Sequence, residues 1–220
     1  MDYISPNILF LLHMTTYWSL SFIFFIMDMN CDQLTNKFNL KTNKYPIDWS
    51  FYLETVKVSL KSQIFILLPL INAFFPFYIV YDHLSIFTVI YSFALSVLFE
   101  EFYFYYVHRL LHTKKLYKYH ALHHKVISPV ATATLYSSFV ENLFCNFLPV
   151  VLVPLLVPMN WYSMCLWNIL ATASAVCSHN GFKFLPMLTK FHSYHHLFKT
   201  CNYGTNGLLD YLNGTYKQDE

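Results

Sequence analysis

Charged residues are scarce in this chain of 220 residues. They make up 12% of the sequence, against 56% hydrophobic and 20% aromatic residues, whereas soluble domains carry roughly 25% charged residues. Glycine is rarer still, with four residues that all lie in the C-terminal part. The shortage of charge argues against a soluble protein and indicates a membrane protein. The formal net charge of +2 is too small to suggest a nucleic-acid partner.

Cysteine pairs and a basic leader are also missing. The five cysteines are Cys31, Cys145, Cys165, Cys177 and Cys201, and no two of them form a CxxC pair. This pattern predicts neither a disulfide framework nor a zinc knuckle, and it is typical of apolar fillers in a reducing compartment. No basic residue precedes the first apolar run, which argues against a cleaved signal peptide and predicts an uncleaved first membrane segment.

Long apolar runs predict an all-α integral membrane protein with about four transmembrane helices, since a spanning helix needs about 20 apolar residues. The predicted spans are Asn7–Met27, Gln63–Tyr81, Leu84–Val107 and the region Phe139–Cys177, which divides into Leu143–Val157 and Trp161–Cys177. Because Leu143–Val157 is short, a re-entrant hairpin is the alternative there. The polar interlude Asp28–Ser62 separates the first two spans. From Ile47 onward it resembles an interfacial helix or a solvated loop.

Lysine and arginine gather in three regions, namely residues 28–62, residues 109–125 and the C-terminal tail. The short turn at residues 82–83 and the first six residues carry neither. The positive-inside rule therefore places all three basic regions in the cytosol. The histidine-rich regions then lie on one side of the membrane, in a cytosolic helical cap, as they must if they share a metal centre.

A dense histidine run occupies His108–His124, which reads HRLLHTKKLYKYHALHH and holds five of the eleven histidines. Its second half returns later as the pattern HSYHH, beginning at His192. Residues three and four apart share one face of a helix, so each group is predicted to point its imidazoles to one side. The candidate metal ligands are His108, His112, His120, His123, His124, His192, His195 and His196, with His179 as a ninth.

Eight or nine imidazoles exceed what one tetrahedral zinc ion can use. Neutral imidazole also suits iron, copper and nickel, and the number of ligands fits two metals with coordination positions left open. A redox-active pair of irons is the predicted occupant, because open positions can bind oxygen. The first pair lacks the glutamate of HExxH, which argues against a metalloprotease.

The groups HRLLH, HALHH, HN and HSYHH resemble the histidine boxes of the fatty acid hydroxylase superfamily of membrane di-iron oxygenases. The resemblance covers about residues 98–216 and includes Glu100–Tyr106, Leu116–Tyr119, Asn202–Gly204 and Gly214–Thr215. The first two boxes are most similar to the sterol C-4 methyl oxidase branch. On this basis residues 1–97 are predicted to hold N-terminal membrane helices and a loop, and residues 98–216 a catalytic domain.

The resemblance implies that the nine histidines bind two iron ions and that no other side chain is catalytic. It implies a lipid substrate, either a sterol or a fatty acyl chain, whose C–H bond is hydroxylated or oxidised with O2. Electrons would come from NAD(P)H through cytochrome b5 or a similar donor protein, at the endoplasmic reticulum membrane. Desaturation at the same site is the first alternative. A catalytically impaired membrane scaffold is the second, because the segment between His179 and His192 is short for the family.

Four polar residues outside the histidine groups are candidates for supporting the metal ligands. Glu101 is expected to accept an imidazole N–H, as metal-bound histidines require, and Glu141 is a candidate for the same role. Asn206 and Asp210 are further candidates, with a turn or a helix cap as their alternative role. His13, inside the first apolar segment, is expected to hydrogen-bond locally or to lie at the membrane interface.

Overall fold

The structure, a computed structural model, describes residues 5–29, 49–126, 129–182 and 186–217. Helices account for most of these residues. The α-helices are α1 (Pro6–Met29), α2 (Trp49–Ser62), α3 (Leu68–Phe74), α4 (Ile86–Leu111), α5 (Tyr117–His120), α6 (Phe139–Glu141), α7 (Leu148–Leu156), α8 (Trp161–Ser178), α9 (Pro186–Phe198) and α10 (Leu208–Leu212). Two π-helical turns (Gln63–Leu67 and Asn142–Phe147), three 3-10 turns (Phe75–Phe77, His123–Lys125 and Ala131–Leu135) and two short strands, β1 (Val80–Tyr81) and β2 (Met159–Asn160), complete the described elements.

Four helices in the described part of the chain are long and apolar enough to cross a membrane. They are Pro6–Met29, Trp49–Phe77, Ile86–Leu111 and Phe139–Leu156. Large apolar side chains cover their outer surfaces; the Phe87 side chain, for example, is 81% exposed. Such a surface is expected where side chains contact lipid. The predicted all-α membrane chain with about four membrane helices is confirmed, and α8, the other predicted span, is not among the four.

The second span differs from its prediction because α2 is part of it. The helix α2 continues through the π-helical turn into α3, so residues 49–77 form one membrane-length segment instead of a separate interfacial helix or a loop. One face of this segment carries charged side chains, and the opposite face packs into the bundle through polar residues. Thr55, Ser59 and Gln63 are fully buried, and the Ser59 hydroxyl donates to the carbonyl of Thr132 over 2.9 Å. The rest of the polar interlude, with Cys31, Lys37, Lys41 and Lys44, lies outside the described residues.

Helices α1 and α8 pack side by side and run in the same direction. His13, in the first half of α1, contacts Thr172 of α8, with 2.9 Å between Nδ1 and Oγ1. Phe24, near the end of α1, stacks on Phe182 just beyond α8, with ring centroids 6.1 Å apart. The sequence analysis expected His13 to hydrogen-bond locally or to lie at the membrane interface. The structure instead shows a hydrogen bond from His13 to a distant helix. This pairing brings the end of α8, and with it His179, to one end of the helical bundle.

The other candidate ligand histidines reach that same end of the bundle. Ser85 caps α4 by accepting a hydrogen bond from the Thr88 amide, and α4 runs to Leu111, four residues beyond the predicted limit at Val107. His108 therefore lies in the last turn of α4, and His112 caps its C-terminus. The strands β1 and β2 form a two-residue parallel pair that the sequence did not predict. It fixes the loop before α4 to the loop before α8.

Candidate metal centre

The structure brings all nine predicted histidines together in two groups. Site A consists of His108, His112, His120, His124 and His195, and site B consists of His123, His179, His192 and His196. Within each group, one nitrogen from every imidazole lies within 4.8 Å of all the others. The groups lie side by side, with the rings of His123 and His124 5.9 Å apart. This arrangement can hold two metal ions.

The imidazoles of site A converge through their Nε2 atoms. His108 and His120 have Nε2 atoms 3.1 Å apart, and those of His112 and His195 are 3.0 Å apart. The Nε2 atom of His124 lies 3.2 Å from that of His112 and 3.1 Å from that of His195. Five nitrogens from α4, α5, α9 and the 3-10 turn after α5 thus surround one small volume.

Site B has four imidazoles in the same arrangement. The Nε2 atom of His192 lies 2.9 Å from that of His179 and 3.0 Å from that of His196. The Nε2 atom of His123 lies 3.3 Å from that of His179 and 3.0 Å from that of His196. With one ligand fewer than site A, site B leaves more coordination positions open.

Each HxxHH group divides between the two sites. His120 and His124 belong to site A while His123 belongs to site B, and His195 likewise leaves His192 and His196. The spacing did not predict this division between two adjacent sites. In both groups the histidines four residues apart share a site and the one between them lies in the other. Along the continuous helix α9, rotation by 100° per residue separates His195 from His196. The first group divides in the same way, although α5 ends at His120 and His123 begins a 3-10 turn.

Hydrogen bonds at the outer ring nitrogens fix the tautomers of several histidines. His108 Nδ1 donates to the carbonyl of Tyr203 over 2.8 Å, and His195 Nδ1 donates to that of Cys201 over 2.8 Å. In site B, His179 Nδ1 donates to the carbonyl of Ala175 over 2.9 Å. A carbonyl can only accept, so each Nδ1 carries the proton and each Nε2 presents its lone pair to the site.

Glu141 lies beside His120, with 2.9 Å between its Oε1 atom and His120 Nδ1, although the contact does not have hydrogen-bond geometry. The Nε2 lone pairs of His108 and His195 at site A, and of His179 at site B, face neighbouring imidazole nitrogens about 3 Å away. Lone pairs directed inward in this way suit a cation between the rings. The donor set therefore fits a metal ion that imidazole binds, and iron is one such ion.

The candidate ligand histidines outside the membrane spans are held in the neutral form that metal binding needs. Burial lowers the pKa of His112 to about 4, with a smaller contribution from Lys199. Burial also lowers the pKa of His124 to about 3 and that of His179 to about 4. Burial and the neighbouring imidazoles hold the pKa of His192 well below its usual value. At neutral pH these rings are therefore uncharged.

Glu141 reaches His120 because its own backbone is well anchored. The Ser138 hydroxyl caps α6 by accepting a hydrogen bond from the Glu141 amide over 3.2 Å. The next residue, Asn142, is fully buried and donates to Ser62 Oγ and to the carbonyls of Leu135 and Ser137. These bonds hold the π-helical turn that follows Glu141 against the end of α2. The membrane bundle thus positions a carboxylate behind a site A ligand.

Glu101 has a different position from the one expected. It is buried, and its carboxylate accepts four hydrogen bonds from the C-terminal loop instead of one from an imidazole. The donors are the Thr205 amide and hydroxyl, the Asn206 amide and the Leu209 amide, at 2.7 to 3.0 Å. Asn206 therefore contributes its backbone to Glu101, and its own side chain accepts from the Leu208 amide. Glu101 holds the loop that carries Tyr203.

Asp210 supports the same loop from its other side. Its carboxylate accepts from the amides of Tyr203 and Gly204 at 2.8 and 2.7 Å, and from the Thr215 hydroxyl at 2.6 Å. Since the Tyr203 carbonyl holds His108, Asp210 acts on site A through the backbone. Asn202, which the sequence analysis noted only as part of the resemblance, does the same beside Cys201. Its buried side chain bonds the backbone of Phe191 and Lys217, and its positive φ of 55° is a feature that a sequence does not reveal.

A cavity leads from the metal centre into the membrane bundle. His179 and His192 of site B line one end of it. Most of the wall is apolar and includes Leu67, Phe104, Leu135, Phe147, Val150 and Val151. A second, smaller cavity also touches His179, His192 and His196. Site B, the site with fewer ligands, therefore lies where an apolar molecule from the bundle would meet the metals.

Replacing Glu141 with glutamine is expected to weaken metal binding at site A by about 10-fold to 100-fold, the usual effect of losing a carboxylate behind a histidine ligand. The amide keeps the shape of the side chain but is a weaker acceptor beside His120 Nδ1. Iron retained by the purified protein against increasing chelator concentration measures the effect. Glu54→Gln is the matched control, because Glu54 accepts from Tyr136 Oη and contacts no histidine. Equal iron retention by the two variants would contradict this role.

Comparisons with known proteins agree with the histidine pattern. The family model described as fatty acid hydroxylase matches residues 93–215, more than half of the chain. Fatty acid hydroxylase domain-containing protein 2 of Homo sapiens is 31% identical over 211 residues, which cover 90% of this chain and 63% of the relative. No solved structure matches the chain significantly.

Two further relatives carry names from different branches of lipid chemistry. Very-long-chain aldehyde decarbonylase GL1-11 of Oryza sativa subsp. indica is 36% identical over 132 residues, covering 54% of this chain and 49% of the relative. Methylsterol monooxygenase 2-2 of Arabidopsis thaliana is 34% identical over 132 residues, with the same coverage of both chains. The chain spans less than two thirds of the length of these relatives. The family model matches more than half of the chain, including all nine candidate ligands. This match shows that the chain belongs to the fatty acid hydroxylase family.

Proposed function

We propose that this protein is a membrane di-iron oxygenase that hydroxylates or oxidises a C–H bond of a lipid. The observation that carries the proposal is the position of the two histidine sites at the end of an apolar cavity within a membrane bundle. Nine neutral imidazoles in groups of five and four supply ligands for two irons. Iron supplies the O2-activating chemistry that a C–H bond without useful acidity requires, since side-chain acids and bases cannot cleave it.

The residues of this chain hold the metal-binding imidazoles in place and orient the lipid substrate. The carbonyls of Tyr203, Cys201 and Ala175 hold three imidazoles with their Nε2 lone pairs facing inward, and the Glu141 carboxyl group lies 2.9 Å from His120 Nδ1. Glu101, Asp210 and Asn206 hold the loop that supplies the Tyr203 carbonyl. The apolar wall of the cavity excludes water and guides a lipid towards site B, which has positions left for oxygen. No further side chain is proposed to be catalytic.

We propose that the protein lies in the endoplasmic reticulum membrane with both histidine sites on the cytosolic side. The distribution of lysine and arginine residues supports this orientation. The exposed cations of this region are Arg109, Lys114, Lys115, Lys118 and Lys125. They suit lipid phosphates or an acidic electron-donor protein such as cytochrome b5, which would pass on electrons from NAD(P)H. Residues 98–216 would then form the catalytic domain, with residues 1–97 supplying the remaining membrane helices and loop.

The proposed substrate is a sterol, in the manner of a C-4 methyl oxidase, or a fatty acyl chain. The relative named methylsterol monooxygenase supports the sterol, and the family model supports the acyl chain. Desaturation is the alternative outcome at the same site, because both reactions begin by removing hydrogen from carbon. A scaffold that keeps its metal without turnover remains the non-enzymatic alternative.

Metal analysis together with oxygen consumption separates the enzyme from the scaffold. We expect about two irons per chain in the purified protein, the number that nine imidazole ligands can hold with open positions. We also expect oxygen use that depends on NAD(P)H and a donor protein. Substoichiometric iron with no oxygen use would reject the oxygenase. Comparing the sterols and fatty acids of cells with and without the protein then identifies the lipid.

A further inference from the structure

The C-terminal helix α10 exposes an apolar face, although it is not one of the four membrane-length helices. Leu208, Tyr211 and Leu212 are spaced three and four residues apart, so their side chains share one side of the helix. Tyr211 is 75% exposed and Leu212 is 67% exposed. The opposite side carries Asp210, which is fully buried. An exposed apolar face of this kind marks a surface that contacts another protein or a membrane.

Hydrogen bonds fix the level of α10 along the membrane helix α4. The Leu209 amide donates to Glu101 Oε1 over 3.0 Å, and the hydroxyl groups of Thr215 and Tyr105 share a hydrogen bond of 3.1 Å. At 1.5 Å per residue, Glu101 and Tyr105 lie about 22 Å and about 28 Å from Ile86, the first residue of α4. The hydrocarbon core of a bilayer is about 30 Å thick. Since α4 begins directly after an exposed loop at one membrane surface, α10 lies close to the other surface.

An exposed apolar stripe of α4 runs up to the level of α10. Leu98, Phe102 and Tyr106 lie four residues apart on the outer side of α4, and all three are exposed. The ring of Tyr106 lies 5.2 Å from that of Tyr105, whose hydroxyl group holds the segment after α10. The face of α10 therefore extends the lipid-facing surface of α4 at its end. Tyrosine, which both Tyr106 and Tyr211 supply there, is enriched at the membrane–water interface.

The distribution of charge favours lipid over a protein partner at this face. Asp210 is the only charged residue in the segment from Cys201 to Tyr216, and it is buried. The exposed cations Lys114 and Lys115 come after the end of α4 and so lie further from the membrane centre than α10. A protein with a charged docking surface would find no complementary charge on α10. Acyl chains need none, so the face suits the boundary between lipid headgroups and acyl chains.

We propose that α10 is an interfacial anchor, which inserts Leu208, Tyr211 and Leu212 between the headgroups and the upper acyl chains of the bilayer. Insertion removes the exposed area of three large apolar side chains from water, which is the main source of binding energy for an interfacial helix. The inference depends on the membrane fold of the chain. It does not depend on the proposed oxygenase activity.

The anchor supports the loop that orients a candidate metal ligand. Asp210, on the inner side of α10, accepts hydrogen bonds from the amides of Tyr203 and Gly204. The Tyr203 carbonyl in turn accepts from His108 Nδ1. Lipid contact on the outer side of α10 therefore restrains the backbone that holds His108. Loss of this contact should loosen that backbone before the rest of the bundle.

Tryptophan fluorescence of the full-length Tyr211→Trp variant in phosphatidylcholine vesicles tests the insertion. The emission added over the wild type should be largely lost when the lipids carry bromine near the headgroup end of their acyl chains, because bromine quenches tryptophan on contact. Bromine near the methyl end should quench it less. Thr113→Trp, at an exposed position beyond the end of α4, is the matched control and should keep its added emission in both lipids. Equal emission of Tyr211→Trp in brominated and plain lipids would overturn the proposal, and a blue-shifted emission in that case would indicate a protein surface instead.

Replacing both Leu208 and Leu212 with asparagine in the Tyr211→Trp variant tests the anchoring role. Asparagine has a similar shape but no tendency to leave water, so quenching by the bromine near the headgroups should fall. Hydrogen exchange at the amides of Tyr203 and Gly204 should then become faster, while exchange in the middle of α8 stays unchanged. Unchanged quenching would overturn the insertion, and reduced quenching without faster exchange would overturn the anchoring of the loop. Neither measurement needs bound metal or turnover, so the results are independent of the oxygenase.

Discussion

Replacing His123 with alanine is expected to abolish the proposed oxygenase activity and to lower the iron content from about two per chain to about one. His123 supplies one of only four nitrogens to site B, and its Nε2 atom lies within 3.3 Å of those of both His179 and His196. Three imidazoles hold a metal less firmly, whereas the five ligands of site A are unchanged. Metal analysis and NAD(P)H-dependent oxygen consumption measure the two effects.

His83→Ala is the matched control, because His83 is exposed and lies in the loop before α4. It should keep both irons and full oxygen use. The His123 variant should still insert into membranes, since the four membrane-length helices do not include this residue. Retained activity in His123→Ala would contradict its assignment as a ligand. Loss of both irons would show instead that the two sites bind metal cooperatively.

The sequence predicted which histidines gather but not how they divide. The spacing of three and four residues identifies faces that converge, and all nine imidazoles do meet. In both groups the histidines four residues apart share a site and the one between them lies in the other. This holds although α9 is continuous and the first group is interrupted after His120. Which site each histidine reaches depends on how the helices pack together, and the spacing alone does not give that packing.

Hydropathy predicted which segments span the membrane more accurately than it predicted where each span begins and ends. It placed the apolar cores of α1, α4 and α7, but it treated α2 as a separate element because of its charged residues. The buried face of α2 consists of threonine and serine side chains. Their hydrogen bonds to Tyr17, Thr132 and Asn142 replace the apolar contacts that a hydropathy scale counts. A hydropathy scale therefore does not identify a membrane helix that packs through polar hydrogen bonds.

Glu101 shows a different limit. The sequence singled out this carboxylate near the end of a membrane helix, and the expected partner was an imidazole N–H. The actual partners are more than 100 residues further along the chain, and only the folded structure brings them together. For the same reason the sequence assigned no structural role to Asn202, since its importance depends on the backbone that it anchors.

Gly204→Ala is expected to destabilise the protein by about 1 to 3 kcal/mol, the usual cost of overpacking a buried site, and to weaken iron binding at site A. A Cβ atom on Gly204 would lie 2.5 Å from Glu101 Oε1 and 2.8 Å from Oε2. The loop cannot easily retreat, because Asp210 holds the Gly204 amide and the Tyr203 carbonyl holds His108. Either Glu101 loses its four hydrogen bonds or His108 loses the acceptor that sets its tautomer.

Gly214→Ala separates this effect from the general cost of changing a glycine in the same region. Gly214 has a φ of 67° and nothing within 4 Å of the added atom, so alanine there costs about 1 kcal/mol in backbone strain without a collision. Both variants should melt earlier than the wild type. Only Gly204→Ala should release iron from site A at lower chelator concentration. If the two variants retain iron equally, the loop that Glu101 holds does not position His108.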